Sequence, residues 1–286
     1  MTPQLPRHPR LLLAASALFF GAAYFTVSFP DAPGAGIASF ISTLLIALPS
    51  FVALWRYLGP KVAVLSLLSL SAFGYAIETI GVATGFPYGP FYYGDSLGPK
   101  IAGLVPYLLP LSWVPLVLGA AAATAPIAPT VPEDEDVRRL RRVLWVLSAA
   151  VLLTLVDGVL DPGAASLGFW VWPEGGPYYG VPVSNYLGWL FSSFVAAAIL
   201  LVLGRRRWVS VPPPPGLLDS ALVAVTFWVG VDLFSGLLFP AMLGIALFFY
   251  LLGRRARLSS VKPVVAARSE ARYKHVENGD ERRSNT

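Results

Sequence analysis

The sequence has no cysteine, and its two histidines, His8 and His275, lie in the segments that flank the apolar body. Without cysteine, the chain can form no disulfide, thiolate metal site or cysteine nucleophile. Two histidines so far from the apolar segments also exclude a histidine-rich di-iron hydroxylase site. We therefore expect no metal site in this protein.

The glycine-rich motifs of nucleotide-binding proteins are missing as well. The sequence contains no G-x-G-x-x-G after a predicted strand and no G-x-x-x-x-G-K-[ST], so we expect no nucleotide or other cofactor. Charged residues are scarce at 13%, whereas 56% of residues are hydrophobic and the mean hydropathy is +0.65. Soluble proteins of this length rarely have such a composition, which therefore predicts a membrane protein.

Eight apolar stretches are long enough, or nearly long enough, to cross a membrane, which takes about 20 mostly apolar residues. The predicted fold is an all-α, polytopic membrane helical bundle with about eight transmembrane helices. The last two stretches are short and are expected to form a hairpin. The predicted helices cover residues 11–29, 37–56, 62–84, 101–121, 143–161, 185–204, 217–232 and 236–252.

Basic residues predict the orientation, because cytoplasmic loops of membrane proteins are rich in lysine and arginine. Eight crossings place all but one of the 21 lysines and arginines on one side, and Lys100 on the other. Both termini are then cytoplasmic, in a multi-pass protein of a bacterial or archaeal cell membrane. The net charge of +5 indicates topology and lipid contact rather than nucleic-acid binding. We expect a membrane domain, 1–253, and a basic, disordered cytoplasmic tail, 254–286.

Two predicted outer loops are rich in aromatic residues, glycine and proline. The first runs from Gly85 to Pro99 and the second from Phe169 to Pro182, and each contains a Pro-Tyr pair and a Tyr-Tyr-Gly sequence. The similarity suggests a weak internal repeat. Loops this apolar are expected to fold back over the helix ends as a lid. An aromatic belt at the membrane interface is the alternative.

The fourth predicted helix contains three prolines, Pro106, Pro110 and Pro115. Each proline removes a backbone hydrogen bond and kinks a helix. We expect these kinks to place Tyr107 and Trp113 near the outer loops.

Asp157 and Asp161 lie at the end of the fifth predicted helix. Their spacing of four places them on one face of a helix, and Pro162 predicts that the helix ends at Asp161. Two carboxylates this close in a medium of low dielectric do not both ionise easily. One is therefore expected to donate a proton and the other to accept it. In the alternative, Asp161 only caps or turns the chain.

Glu78 and Asp232 are two further acids within or at the end of apolar stretches. An ionisable group in hydrocarbon is a functional-site hypothesis by default. Glu78 is expected to hydrogen-bond Tyr75 or Thr79, and a structural bond between helices is the alternative. Asp232 precedes a short outer turn, where a merely interfacial position is the alternative.

Several motifs around these acids and loops resemble those of a membrane carotenoid-biosynthesis family. That family includes carotenoid 1,2-hydratases of the bisanhydrobacterioruberin hydratase and γ-carotene hydratase type. The resemblance spans about residues 75–190, and helix number and charge polarity extend it over most of the chain. The motifs are Glu78-x-x-Gly81, Gly85-Phe-Pro-Tyr-Gly-x-Phe-x-Tyr93, Leu97-Gly-Pro99, Val105-Pro106, Pro110-Leu-x-Trp113, Asp157-x-x-Leu-Asp-Pro162, Trp170-x-Trp172 and Tyr179-Gly-Val-Pro-x-x-Asn185-x-x-Gly-Trp189.

The resemblance implies addition of water to the terminal double bond of a linear carotenoid such as lycopene or γ-carotene. A desolvated acid would protonate the alkene, aromatic faces would stabilise the carbocation, and a base would deprotonate the attacking water. The expected partners are this carotenoid, water and membrane lipid. The predicted catalytic residues are Asp157, Asp161, Glu78 and Asp232. The predicted substrate-binding residues are Tyr88, Tyr92, Tyr93, Trp113, Trp170, Trp172, Tyr178, Tyr179, Asn185 and Trp189.

Other functions share parts of this pattern. A carotenoid end-group cyclase begins with the same protonation but shields the cation from water. A transporter or lipid-binding protein without enzymatic activity would use the intramembrane acids as a proton relay. A membrane prenyltransferase is disfavoured, because it needs Asp-rich sites for Mg²⁺ and diphosphate together with basic helpers that the outer loops lack.

Overall fold

The computed structural model describes residues 9–30, 32–128, 134–205 and 207–260, and the described chain is a bundle of α-helices. Seven of the described helices are long and apolar enough to cross a membrane. The predicted all-α, polytopic membrane fold is therefore confirmed. The helices are α1 (Pro9–Ser28), α2 (Ala35–Leu58), α3 (Pro60–Thr84), α4 (Leu109–Thr124), α5 (Glu135–Ser166), α6 (Val183–Gly204), the single turn α7 (Arg207–Ser210), α8 (Asp219–Phe234) and α9 (Leu238–Ser260).

The bundle has a loop end and a basic end, which differ in the length of their connections and in their charge. The loop end carries the long connections 85–108 and 167–182, together with the short turn between α8 and α9. The basic end carries the turn between α2 and α3 and the arginines around 138–142 and 254–257. Four strands of two residues lie in the loop end: β1 (Tyr92–Tyr93), β2 (Lys100–Ile101), β3 (Val105–Pro106) and β4 (Trp170–Val171).

Helix α4 begins at Leu109 rather than at residue 101, so the start of the fourth predicted helix is wrong. Residues 100–106 instead form the antiparallel pair β2–β3. Pro110 lies in the first turn, where proline is tolerated, and only Pro115 lies inside the helix. With 16 residues, α4 is about 24 Å long and shorter than the hydrocarbon core of about 30 Å.

Helix α4 nevertheless connects the two ends of the bundle. Just before its start, the carbonyl of Tyr107 accepts a hydrogen bond of 2.8 Å from the Tyr75 hydroxyl at the loop end. Just after its end, the carbonyl of Ala125 accepts one from Arg254 at the basic end. Helix α4 therefore runs from the loop end to the basic end, as the charge pattern predicts for the fourth helix.

Helix α5 continues to Ser166, so the prediction that it ends at Asp161 is wrong. Pro162 has no N–H and cannot donate to the carbonyl of Gly158 one turn earlier. The Tyr178 hydroxyl donates to that carbonyl instead, at 3.0 Å. A side chain from the next loop thus replaces the missing backbone bond, and the helix passes through the proline.

The C-terminal helix is longer than predicted. Helix α9 ends at Ser260, beyond the boundary at residue 253 that was expected for the membrane domain. Residues 261–286 lie outside the described part of the chain, so the disordered tail stays a prediction.

Hydrophobic side chains form two cores. The larger core fills the bundle, and its centre is the contact of α4 with α8, where a Cβ atom on Gly119 would lie 2.4 Å from the Cβ of Ala221. The smaller core lies beneath the loops. Its buried members are Ile77, Tyr88, Phe91, Tyr93, Val105, Trp172 and Val181.

Tyr88 shows how closely the loops pack on the helices. A Cβ atom on Gly81 of α3 would lie 2.8 Å from one edge of its ring, and one on Gly188 of α6 would lie 2.6 Å from the other. These two glycines therefore make room for the ring between α3 and α6. The loops fold back over the helix ends, as their composition predicts.

Candidate active site

The two outer loops are joined by the antiparallel pair of β1 and β4, in which Tyr93 is opposite Trp170. Directly opposite residues lie on the same face of a sheet. The Tyr93 hydroxyl donates to Oε2 of Glu78 at 2.8 Å, and Nε1 of Trp170 donates to Oδ1 of Asp161 at 3.0 Å. One strand pair therefore connects the two loops to acids on two different helices.

Asp157 and Asp161 lie on one face of α5, as their spacing predicts, and are only 3% and 1% exposed. The Asn185 amide connects them: Nδ2 donates to Oδ2 of Asp157 at 3.3 Å and also to Oδ2 of Asp161. Asn185 thus holds the two buried carboxyl groups beside each other.

The donors around the pair are distributed unequally. Both oxygens of Asp161 accept hydrogen bonds, one from Trp170 and one from Asn185. Asp157 receives only the longer of the two Asn185 contacts. Among the described residues, Asp161 therefore has more hydrogen-bond donors than Asp157. Hydrogen bonds donated to a carboxylate favour its ionised form.

Glu78 is buried in α3, but its partner is Tyr93 on β1. The predicted bond from Tyr75 is wrong, because that hydroxyl donates to the carbonyl of Tyr107. The Tyr88 hydroxyl bonds Ser192 at 2.7 Å. Burial, followed by the charge of Glu78, raises the pKa of both the Tyr88 and Tyr93 phenols. Both phenols therefore stay protonated, and Tyr93 remains a donor to Glu78.

Asp232 is completely buried in α8, so it is not merely interfacial. Among the described residues, neither of its carboxylate oxygens has a hydrogen-bond partner. A Cβ atom on Gly163 would lie 2.8 Å from Oδ1 of Asp232. The carboxyl group therefore lies against α5 immediately after the turn that carries Asp161.

The four buried acids of the loop end have no basic partner among the described residues. In the described part of the chain, none of these four acids forms an ion pair, and Lys100 pairs with the exposed Asp95 at 2.8 Å. A search of the described residues also finds no group of three or more His, Cys, Asp or Glu arranged to hold a metal ion.

The predicted aromatic residues separate into three sets. Tyr88, Tyr93, Trp170 and Tyr178 belong to the hydrogen-bond network around the acids. Trp172 and Trp189 form a layer behind it, against Phe91 and Tyr88. The remaining three lie elsewhere: Tyr92 and Tyr179 are 51% and 44% exposed, and Trp113 packs against Phe73 and Gly74 in the helix core.

Sequence reasoning missed Tyr186, Ser192 and Trp228. Ser192 is seven residues after Asn185, two helical turns on, and thus on the same face. Trp228 precedes Asp232 by four residues and packs against Trp170, with ring centroids 6.3 Å apart. Helical spacing from the known acids and Asn185 was therefore the available signal.

Comparison with known proteins agrees with this architecture. The chain is 38% identical over 198 residues to the bisanhydrobacterioruberin hydratase of Haloarcula japonica, a match that covers 67% of this chain and 63% of that protein. The match thus spans a little less than two thirds of that relative. No solved structure matches the chain significantly. The sequence profile of the carotenoid biosynthesis protein family matches residues 34–251, well over half of the sequence, and the chain belongs to that family.

Proposed function

We propose that this protein is a carotenoid 1,2-hydratase, which adds water to the terminal double bond of a linear carotenoid end group. One observation carries the proposal: a buried pair of aspartates, bridged by Asn185, lies without an ion-pair partner in the described chain and beneath aromatic loops. In this proposal the two aspartates share one proton. The 38% identity to a hydratase gives the pair its substrate class. We place the enzyme in the cell membrane with both termini cytoplasmic.

The reaction begins with proton transfer from Asp157 to the less substituted alkene carbon. This carbon gains a C–H bond as the π bond breaks, and a tertiary cation remains on its neighbour. Asp157 is the donor because Asp161 accepts from Trp170 and Asn185 and is held as the carboxylate. General acid catalysis of this kind contributes roughly 10²–10⁴ in rate.

Aromatic faces surround the place where the cation forms. Trp170 lies against Trp228, with centroids 6.3 Å apart, and Trp228 also packs on the Gly163 position beside Asp232. A desolvated cation over an aromatic face is stabilised by about 2 kcal/mol or more. The nearby Asp161 carboxylate adds electrostatic stabilisation.

Water then attacks the cation, and the new C–O bond completes the addition. The proton released from this water passes to Asp161. The hydrogen bond between the two carboxyl groups returns it to Asp157, which restores the starting state. Atoms and charge balance without any redox cofactor, so the proposed reaction is cofactor-independent.

Glu78 is the second candidate acid in this proposal. Its bond from Tyr93 links it to the same strand pair that holds Asp161. The donor that contacts it is a neutral phenol rather than a cation. Glu78 therefore serves either as an alternative proton donor or as a fixed negative charge that stabilises the cation.

The substrate is a long apolar molecule and approaches from the bilayer. Leu187 and Phe191 on α6 are 64% and 46% exposed, and the Phe86 side chain of the first loop is 60% exposed beside them. The Phe86 and Phe191 rings are 6.3 Å apart. This apolar surface lies on the lipid-facing side of α6 near the loop end, and we propose that the end group enters there from the lipid.

The test is expression of the protein in a host that makes lycopene, followed by mass analysis of the pigments. We expect products heavier than lycopene by one or two waters, and none from the Asp157→Asn protein inserted at the same level. A product of unchanged mass with a cyclised end group would instead identify a cyclase. Unaltered lycopene and γ-carotene in cells that contain the inserted protein would overturn the proposal.

A further inference from the structure

Tyr186 follows Asn185 in the first turn of α6. Its hydroxyl is buried, and no described residue forms a hydrogen bond with it. The preceding residue, Asn185, donates to both Asp157 and Asp161 on α5. Tyr186 therefore adds a buried, unpartnered hydroxyl at the turn of α6 that contacts this pair.

Asp232 is also a buried polar residue without a hydrogen-bond partner among the described residues. Both of its carboxylate oxygens are buried, and within the described residues neither has a hydrogen-bond partner. Buried polar groups in proteins are nearly always hydrogen-bonded. Two such groups on α6 and α8, both next to the end of α5 that carries Asp161, together form a polar site whose natural occupant is a small hydrogen-bonding molecule.

Tyr178 does not occupy this site, although its ring is 5.7 Å from that of Tyr186. Its hydroxyl donates to the Gly158 carbonyl that Pro162 leaves free. Burial, followed by the charge of Asp232, raises the pKa of Tyr178 to about 12, so this donor stays protonated. Tyr178 thus packs against Tyr186 with its own hydroxyl already paired, whereas the polar atoms of Tyr186 and Asp232 have no partner among the described residues.

We infer that the Tyr186 hydroxyl and the Asp232 carboxyl group hold the water that attacks the carbocation. This inference rests on the proposed function. The Tyr186 hydroxyl forms one hydrogen bond with the water, as donor or acceptor. The Asp232 carboxyl group accepts a second hydrogen bond from the water. The water is thereby kept beside Asp161, which takes its proton as the C–O bond forms. Tyr186 and Asp232 then act after protonation of the alkene and have no part in it.

This order of events can be measured in D₂O. A deuteron from Asp157 forms a C–D bond and produces the cation. Capture by water gives the deuterated alcohol, whereas loss of a proton from a neighbouring carbon to a carboxylate returns an alkene that retains deuterium. The ratio of deuterated alkene to deuterated alcohol therefore reports how efficiently water captures the cation.

The experiment compares wild-type protein with Tyr186→Phe, using lycopene in detergent micelles made with D₂O. We expect hydration to fall about tenfold, the size of one lost hydrogen bond, while protonation continues. The ratio of deuterated alkene to alcohol then rises about tenfold. Asp232→Asn should shift the ratio in the same direction. Tyr250→Phe, at an exposed tyrosine of α9, is the matched control and should leave the ratio unchanged.

An unchanged ratio in Tyr186→Phe, with or without a parallel loss of both products, would overturn the water site. If this variant does not elute as a single species in detergent, Asp232→Asn decides by the same criterion. Wild-type protein that neither hydrates lycopene nor exchanges deuterium would instead overturn the proposed function, and the water site with it. Exchange without hydration in wild type would leave the protonation step standing but would overturn both hydration as the proposed function and the water site that rests on it.

Discussion

The two ends of the bundle both contain acids and buried tryptophans, but the acids have different kinds of partner. At the basic end, Asp219 accepts hydrogen bonds from the Arg255 guanidinium, with Nε–Oδ1 at 2.5 Å and Nη2–Oδ2 at 3.3 Å. At the loop end, Asp161 accepts from Trp170 and Asn185, which carry no charge. Asp219 therefore has a charged partner, whereas Asp161 has only neutral donors among the described residues.

The tryptophans follow the same division. Nε1 of Trp145 donates to the backbone carbonyl of Ala121 at 3.1 Å, and its ring stacks on Trp208 with centroids 5.6 Å apart. Nε1 of Trp170 donates at 3.0 Å to a carboxylate. The basic end uses its polar groups to fix helices together, and the loop end uses them to hold acids in place.

The largest expected effect comes from removing the proton donor. Asp157→Asn should lower hydration per folded molecule by about 10³, within the range of general acid catalysis. Asp219→Asn, the matched change at the basic end, should leave that activity unchanged. It should instead lower the free energy of unfolding by about 1–2 kcal/mol, since this pair is less buried than pairs that cost about 3–5 kcal/mol to break.

Both variants should be purified in the same detergent and assayed with lycopene at equal amounts of monodisperse protein. Thermal unfolding of the same samples gives the stability. Full hydratase activity in both Asp157→Asn and Glu78→Gln would remove the acids of α5 and α3 from the mechanism. Loss of activity in folded Asp219→Asn would show that the basic end contributes to catalysis and not only to stability.

A tenfold effect is expected from Trp170→Phe, which removes the indole donor from Asp161 while keeping an aromatic ring. Hydrogen bonds to charged groups contribute about 1.5–3 kcal/mol, and each 1.36 kcal/mol corresponds to a factor of about ten. Trp145→Phe removes a similar donor from a backbone carbonyl and also the stack on Trp208. We expect it to lower the unfolding temperature and to leave activity per folded molecule unchanged.

This pair of variants is measured by initial hydration rates and by thermal unfolding in detergent. Equal losses of activity, or a purely structural loss in Trp170→Phe, would contradict the assignment of Trp170 as a positioning residue for Asp161.

Local rules predicted part of the site. Spacing along a helix placed Asp157 and Asp161 on one face, and hydropathy with charge placed the acids at one end of the bundle. The cross-strand pair of Tyr93 with Trp170 joins loops far apart in sequence, and no local pattern specifies that register. The partner of Glu78 was missed for this reason, since proximity in sequence favoured Tyr75.

Proline rules failed where a side chain compensates. Pro162 should end α5, but the Tyr178 hydroxyl satisfies the carbonyl of Gly158, so the helix and its acids extend further into the loop end. The start of α4 was misplaced because the apolar segment from residue 101 suits a helix and a buried hairpin equally. The contacts that decide between them come from the packing of the loops.

The smallest expected effect tests the one lysine of the loop end. Lys100 donates to the backbone carbonyl of Tyr93 at 2.6 Å and to Asp95 at 2.8 Å. The first bond fixes the strand whose tyrosine holds Glu78, so Lys100→Met should lower hydration about two- to threefold, as expected for one solvent-accessible hydrogen bond of about 0.5 kcal/mol.

Asp95→Asn removes only the exposed ion pair and should change neither activity nor unfolding temperature measurably. The hydrogen bond from Lys100, followed by its charge, lowers the pKa of Asp95. The pair therefore contributes only while Asp95 is ionised, and that contribution is lost as pH falls through the lowered pKa. Titration of unfolding temperature with pH in wild type and Asp95→Asn should give the same curve within error. A clear divergence at neutral pH, absent in acid, would show that charge pairing also stabilises the loop end. In that case the two ends would differ only in the partners of the acids that lie within the bundle, since both would be stabilised by an ion pair.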